Sequence, residues 1–237
     1  MTSLTYLGHA AFLIEHEGQT IAVDPFLTGN PLAARQASEI APSIILLTHA
    51  HNDHVGDTVE IAKRTGAAVI ATFELGEWIA GQGVEGAIPA NHGGTVAFAG
   101  GTVKFVPAWH TSSYNYNGQT VAPGVPAGLI VRVGGNTIYF AGDTCLFGDM
   151  RLIGEEGVDL AVLPIGDHFT MGLGDAVRAA EFLNVPAVVP CHYNTFPAIK
   201  QDPHAFGRLL EERTSARAII LEPGSRHELQ ATGNDTR

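Results

Sequence analysis

Residues 44–54 read Ile44-Ile45-Leu46-Leu47-Thr48-His49-Ala50-His51-Asn52-Asp53-His54. The apolar run is short enough for a strand buried on both faces, and it passes straight into a polar segment. The pattern predicts a loop at a strand's carboxyl end carrying His49, His51, Asp53 and His54. In an extended segment side chains at i and i+2 share a side, so His49 and His51 converge while Asp53 and His54 are displaced toward a second point. Imidazole and carboxylate are ordinary zinc ligands, and two ions roughly 3.5–4 Å apart are a recurring hydrolytic device. The bland alternative is a solvated polar turn, which leaves the clustering of histidines unexplained.

Outward from this segment the chain alternates strand and helix signals. Leu4, Tyr6, Ala10, Phe12 and Ile14 roughly alternate with other residues, Glu17-Gly18 turns the chain into 20–23, and Asp24-Pro25 ends the predicted hairpin. Residues 57–65 read as a helix closed by Gly66, followed by a strand at 67–71 and a helix around 75–80. Short β-branched or aromatic runs at 96–98, 103–106, 129–133 and 137–140 form a meander between glycine-rich turns. Alternation then resumes with helices near 149–156, 175–183 and 206–213 and strands at 160–163, 187–189 and 218–221. No repeat or linker-like run interrupts the chain, so the expectation is one domain over 1–237 in which two sheets are faced by helices.

Further candidate ligands follow predicted strands: His110 after 103–106, Asp143 after 137–140 and His192 after 187–189. Carboxyl ends of strands are where a layered fold gathers residues distant in sequence. The motif His49-x-His51-x-Asp53-His54, with His110, Asp143 and His192 in that order, resembles the signature of the metallo-β-lactamase superfamily. The resemblance spans nearly the whole chain and implies an α/β fold, the four-layer αββα sandwich. It also implies that His49, His51 and His110 bind one metal ion, that Asp53, His54 and His192 bind a second, and that Asp143 bridges them. The opening Leu7-Gly8-His9-Ala10-Ala11-Phe12-Leu13-Ile14, the segment Asp24-Pro25-Phe26 and the segment 164–171 look like a poorly characterised family of metal-dependent hydrolases. That family is similar to the ascorbate-phosphate lactonase branch.

Departures from other branches narrow the expectation. The interval from His54 to His110 leaves little room for a tRNA-clasping arm, and the stretch after His192 is too short for added RNA-processing or glyoxalase domains. Flavodiiron relatives carry glutamate where this chain has His51, which favours hydrolysis over redox chemistry. Paired divalent ions, zinc or manganese, lower the pKa of water toward neutrality and polarise the carbonyl or phosphoryl oxygen under attack. Asp53 and His168 are the candidate catalytic groups, Asp53 for its reach to the nucleophile and leaving group. Asp24 is either a carboxylate backing a metal-bound imidazole or an ordinary turn residue before Pro25. His9 and His168 also read as outer-shell or substrate-contacting groups, His9 the weaker of the two.

Composition bounds the rest. The chain has 237 residues, 45% of them hydrophobic, ample for a sizeable core. Its 11 histidines nearly match its 13 lysines plus arginines, an enrichment that points to metal ligation. A formal net charge of -11 disfavours long nucleic acid as a partner, since nonspecific binding requires clustered cations. With 2 cysteines there is no disulfide framework, and Cys145 and Cys191 read as small buried thiols. The absence of a signal-like start or long apolar run argues against a membrane and for the cytoplasm. His16, His92, His204, His227 and Lys200 read as surface residues, and 111–126 as a substrate-facing lid or a plain exposed loop. The expected function is hydrolysis of a small phosphodiester by metal-activated hydroxide. The alternatives are a lactonase or other small-ester hydrolase and a non-catalytic metal-binding protein. Oligomerisation is left open.

Overall fold

The structure is a computed structural model and describes residues 1–230; residues 231–237 of the expected domain lie outside them. The chain opens with three antiparallel strands, β1 (Thr2–Gly8), β2 (Ala11–His16) and β3 (Gln19–Val23). The expected hairpin is thus β2 and β3, while the alternation read through residues 4–14 is broken by a sharp turn at Gly8-His9-Ala10. Side chains alternate on either side of that turn as they would along one strand, so the sequence pattern hides it.

Strand β4 (Ile44–Leu46) leads into a single helical turn, α1 (Asn52–Val55). The expected 49–54 loop therefore becomes helical halfway along, with His49 and His51 before the helical turn and Asp53 and His54 within it. Helix α2 (Thr58–Thr65) ends at Gly66 in the left-handed conformation, as the sequence predicts. Strand β5 (Ala68–Thr72), helix α3 (Phe73–Gly81) and strand β6 (Ala87–Ala90) complete the first half.

The meander follows as β7 (Thr95–Phe98), β8 (Gly101–Pro107), β9 (Tyr114–Tyr116), β10 (Gln119–Val121), β11 (Ala127–Val133) and β12 (Asn136–Phe140). Segment 111–126 is not a plain loop. Strands β9 and β10 pair around Asn117-Gly118, whose φ values of 50° and 75° suit the type I′ turn that this dipeptide favours. Tyr114 and Tyr116 rest on Trp78 of α3, with ring centroids 4.7 and 5.5 Å away. Helix α4 (Met150–Gly154), strand β13 (Leu160–Pro164), helix α5 (Leu173–Leu183), strand β14 (Ala187–Cys191), helix α6 (Pro203–Arg213) and strands β15 (Arg217–Ala218) and β16 (Arg226–Leu229) close the chain.

One sheet has the order β16-β1-β2-β3-β4-β5-β6 and the other β15-β14-β13-β12-β11-β8-β7. Leu4, Phe12 and Leu46 of the first meet Phe105, Leu129 and Val162 of the second in a core between the sheets. Outside them, Ile61, Leu75 and Ile79 of α2 and α3 pack on Ile45 and Val69, and Met150, Val177 and Phe206 of α4–α6 pack on Ala161 and Val188. The result is the expected αββα order of layers. Buried faces on both sides explain the unbroken apolar run at 44–47: Ile44 and Leu46 enter the central core, Ile45 and Leu47 the outer one.

Pro190 sits in β14 without disrupting it. Val188 accepts a bond from Ile219 N on the β15 side, and β15 pairs β14 only through Ala187 and Val188. Two residues on, Pro190 faces the same side where no strand remains to want its missing N–H. Strand β14 then delivers His192 at its end. No helix among the described residues is long and apolar enough to cross a membrane.

Candidate metal centre

Strands β1, β3 and β4 of the first sheet and β8, β12 and β14 of the second run with their carboxyl ends at a common edge of the sandwich. His9, Asp24, His49, His110, Asp143 and His192 follow those six ends in turn. Their ligand-capable atoms, with those of His51, Asp53 and His54, form two clusters. His49, His51, His110 and Asp143 make one, His9, Asp53, His54 and His192 the other, and within each the atoms lie within 4.8 Å of one another.

Asp143 stands between the clusters. Its Oδ2 lies 3.4 Å from His110 Nε2, 3.9 Å from His49 Nε2 and 3.1 Å from His192 Nε2, and its Oδ1 lies 3.3 Å from His54 Nε2. The carboxylate is 3% exposed, so water does not solvate its charge. Gly142, at φ +61°, allows this approach: a Cβ there would stand 2.8 Å from Thr48 Cβ.

Hydrogen bonds behind the imidazoles fix which nitrogen faces inward. Asp24 is buried at φ +44° and accepts bonds from Thr48 N at 2.9 Å, Thr48 Oγ1 at 2.6 Å and His54 Nδ1 at 2.8 Å. Because Thr48 spends its hydrogen on Asp24, its oxygen accepts from His49 Nδ1 at 3.0 Å. Both His49 and His54 consequently turn an Nε2 lone pair toward Asp143 when neutral. Of the two readings of Asp24, the backing carboxylate describes its geometry, not the turn residue. His49 Nε2 and His51 Nδ1 face each other at 2.9 Å, a convergence suited to one shared cation.

The electrostatics have the same sense. Burial depresses the His49, His51 and His110 pKa values, leaving these rings neutral and able to coordinate. Burial also opposes charge on His54, but Asp143 and Asp24 outweigh it and hold its pKa well above the ordinary value. Against its own burial, Asp143 is held well below the carboxylate range by His192 and His54. Burial together with the neighbouring His192 brings His9 down to about 4. Buried atoms without a hydrogen-bond partner include His54 Nε2, His192 Nε2, His192 Nδ1 and Asp143 Oδ1. Such an orphan ordinarily costs about 1–3 kcal/mol, and three of these four point into the space between the imidazoles and Asp143. The donor set therefore fits divalent cations.

Other expected site residues fall elsewhere. His168 belongs to neither cluster. It is exposed on a turn closed by Thr170 N on Asp167 O at 2.6 Å, its ring 4.5 Å from that of Phe169. Cys145 is exposed rather than buried, because the turn after Asp143 faces outward; Cys191 is buried, and burial first, then Asp143 and Asp24, keep its thiol protonated. Lys200 and His204 are exposed. His16 and His92 are partly covered through bonds to Thr2 Oγ1 at 2.9 Å and Pro126 O at 2.9 Å. Thr48 and Thr195 were not expected at the site. A threonine flanking His49 is a weak signal for the first, and nothing local marks the second.

An αββα sandwich that collects histidines and aspartates at the strand ends of both sheets is the metallo-β-lactamase fold. A family model described as a β-lactamase superfamily domain matches residues 19–193. A Thermus thermophilus protein named as a UPF0173 metal-dependent hydrolase is 50% identical over 224 residues, covering 94% of this chain and 97% of its own. A Methanopyrus kandleri protein of the same name is 46% identical over 227 residues, covering 95% and 99%. The solved structure of Igni18, described as a novel metallo hydrolase from Ignicoccus hospitalis, superimposes with a TM-score of 0.86 at 38% identity over 97% of this chain and 99% of its own. The chain belongs to the UPF0173 family of metal-dependent hydrolases within the β-lactamase superfamily.

Proposed function

We propose that this protein hydrolyses a small ester with two divalent ions, zinc or manganese, and that a compact phosphodiester is its first substrate class. His49, His51 and His110 would hold one ion, Asp53, His54 and His192 the other, with Asp143 shared. The observation that carries this reading is the position of Asp143, a buried carboxylate within 3.1–3.9 Å of four imidazole nitrogens from three parts of the chain. When bound, such ions supply a water deprotonated near neutral pH and polarise the oxygen under attack.

The chain's own residues supply position and proton handling. Asp24 and Thr48 hold two imidazoles in the ligating tautomer, and the helical turn of α1 aims Asp53 inward. Asp53 is 31% exposed at its side chain, so one face reaches the open side, where its carboxylate would carry a proton to the leaving group. A lactone or other uncharged ester is the second reading, favoured by Trp109 and Phe169. These aromatics are 65% and 55% exposed, and their loops are tied to Thr144, beside Asp143, by Trp109 N on Thr144 Oγ1 at 3.0 Å and Met171 N on Thr144 O at 3.1 Å. The two free cysteines suit a reducing cytoplasm, which belongs to the same proposal.

The test is turnover of zinc- or manganese-loaded protein on a chromogenic phosphodiester, a lactone series and a long RNA. Diester cleavage with little salt dependence is expected, because the chain's acidity repels a polyanion beyond the metals. Lactone turnover without diester activity selects the second reading; steep salt dependence on RNA overturns both. Absence of all turnover in protein holding two ions leaves the non-catalytic metal-binding alternative.

Metal uptake should also displace a proton. His54 carries a raised pKa without a cation, so at pH 7 it holds a proton that a metal ion must remove. Apparent affinity is therefore expected to fall as pH drops and rise as pH climbs through the His54 value. Titration calorimetry in buffers of different ionisation enthalpy should give release of about one proton from this residue. Uptake without proton release would show that His54 is neutral or lies outside the binding site.

A further inference from the structure

His9 was the weakest of the histidine candidates, yet it is fully buried at the turn between β1 and β2, with φ +60°. Gly8 before it has φ +109°, and a Cβ there would come 2.5 Å from Leu32 O, so this turn accepts only glycine. A non-glycine residue in left-handed backbone persists where its surroundings over-determine it. Here they do. The His9 carbonyl accepts from His192 N at 2.7 Å and from Tyr6 Oη at 3.2 Å. Its ring places Nε2 3.2 Å from Asp53 Oδ2 and Nδ1 2.8 Å from Thr195 Oγ1, with the His192 ring 4.1 Å away.

The chemistry of the partners orients this chain of bonds. An ionised carboxylate only accepts, so the His9 hydrogen sits on Nε2 and points at Asp53. The Thr195 hydroxyl then donates to the Nδ1 lone pair at 2.8 Å in preference to the Tyr193 carbonyl, which lies 3.4 Å away. A ring whose hydrogen faces the cluster offers it no lone pair, although His9 is near enough to the other three residues to be counted with them.

We infer that His9 is a positioning residue of the second metal site: its side chain holds Asp53, its main chain holds His192, and Thr195 fixes its ring. The inference rests on the two-ion reading above. Asp53 belongs to the segment after β4 in one sheet and His192 to the end of β14 in the other, so His9 ties together ligands delivered by opposite layers.

The experiment compares full-length wild type, His9→Ala, His9→Gln and Thr195→Val by competitive Co²⁺ titration, with the absorption spectrum recorded at each step and circular dichroism of the metal-free proteins as a check on folding. Wild type should take two ions. In His9→Ala one ion should weaken by about 10–100-fold and the other stay within about twofold. Glutamine, whose amide N–H reaches to where Nε2 stood, should restore most of that loss, and Thr195→Val should weaken the same ion by a smaller factor. Adding His9→Ala to Asp53→Ala should weaken that ion little further, because the side chain acts through Asp53. Unchanged affinities in His9→Ala overturn the inference, as does equal weakening of both ions. Loss of a nitrogen ligand from the Co²⁺ spectrum with no rescue by glutamine identifies His9 as a direct ligand instead. Should the His9 variants not fold, unchanged affinities in folded Thr195→Val overturn it. A wild type that binds one ion refutes the two-ion reading itself, and the inference with it.

Discussion

Asp143→Ala is expected to retain neither ion through gel filtration and to lose well over 100-fold in turnover, the largest effect of any single substitution at this site. Among the described residues its carboxylate is the only one paired within 4 Å with imidazoles of both clusters, so its loss removes negative charge and a ligand from both proposed sites at once. It also leaves His54 and His192 facing each other without the anion between them. Asp24→Ala is the informative contrast. It would leave every proposed ligand in place but release the Nδ1 hydrogens of His54 and, through Thr48, of His49. Loss of such backing partners typically costs about 10–100-fold in metal affinity or activity. Elemental analysis and turnover of the two variants check the ordering; equal, small effects in both would refute the shared-carboxylate assignment.

Removal of the metals is the second large effect expected. Chelated protein should lose all hydrolytic activity, recover it on addition of zinc or manganese, and melt at a lower temperature. An ion present at 100 times its dissociation constant stabilises the folded chain by about 2.7 kcal/mol. In a protein of this length each kcal/mol moves the melting midpoint by about 2–4 °C, so each ion should contribute about 5–11 °C. Scanning calorimetry of metal-free and reloaded protein makes the comparison. Unchanged activity and an unchanged midpoint after verified removal would sink both the catalytic and the structural role of the ions.

The expected ligand segment was legible because its chemistry is local. The 44–47 run, the clustered histidines and the strand-end positions of His110, Asp143 and His192 are all readable from composition and period. The structure carries each of those residues to the same edge of the sandwich. The hairpin at 114–121 was not legible as one: Asn117-Gly118 is a strong turn signal, but polar flanking residues mask the strands beside it, and the segment reads as a lid or a plain loop. Strand β16 was hidden for another reason. Its Arg226, His227 and Glu228 have little strand propensity, and pairing with β1 orders them.

Backbone that departs from regular geometry was the least legible part of the site. His9, Asp24 and His192 all have positive φ, a conformation that histidine and aspartate adopt more often than most residues but still uncommonly, so the sequence alone does not place it. Each follows a strand and turns its side chain back toward the space between the sheets. His168 shows the converse: its neighbours in sequence suggested a place at the site, and the turn at Asp167 leaves it exposed and outside both clusters.

By itself the sequence determined the layer order and the residue types available to a metal, because alternation of apolar residues sets burial and imidazole and carboxylate set affinity. Only the tertiary structure decided which nitrogen of each ring faces inward, that Asp143 stands between both clusters, and that His9 and Thr195 stand behind Asp53. Those outcomes depend on bonds between residues brought from opposite sheets, such as His192 N to the His9 carbonyl and Thr48 to Asp24. Such contacts span separations in sequence over which local propensity carries no information, and packing of the two sheets across one core fixes them.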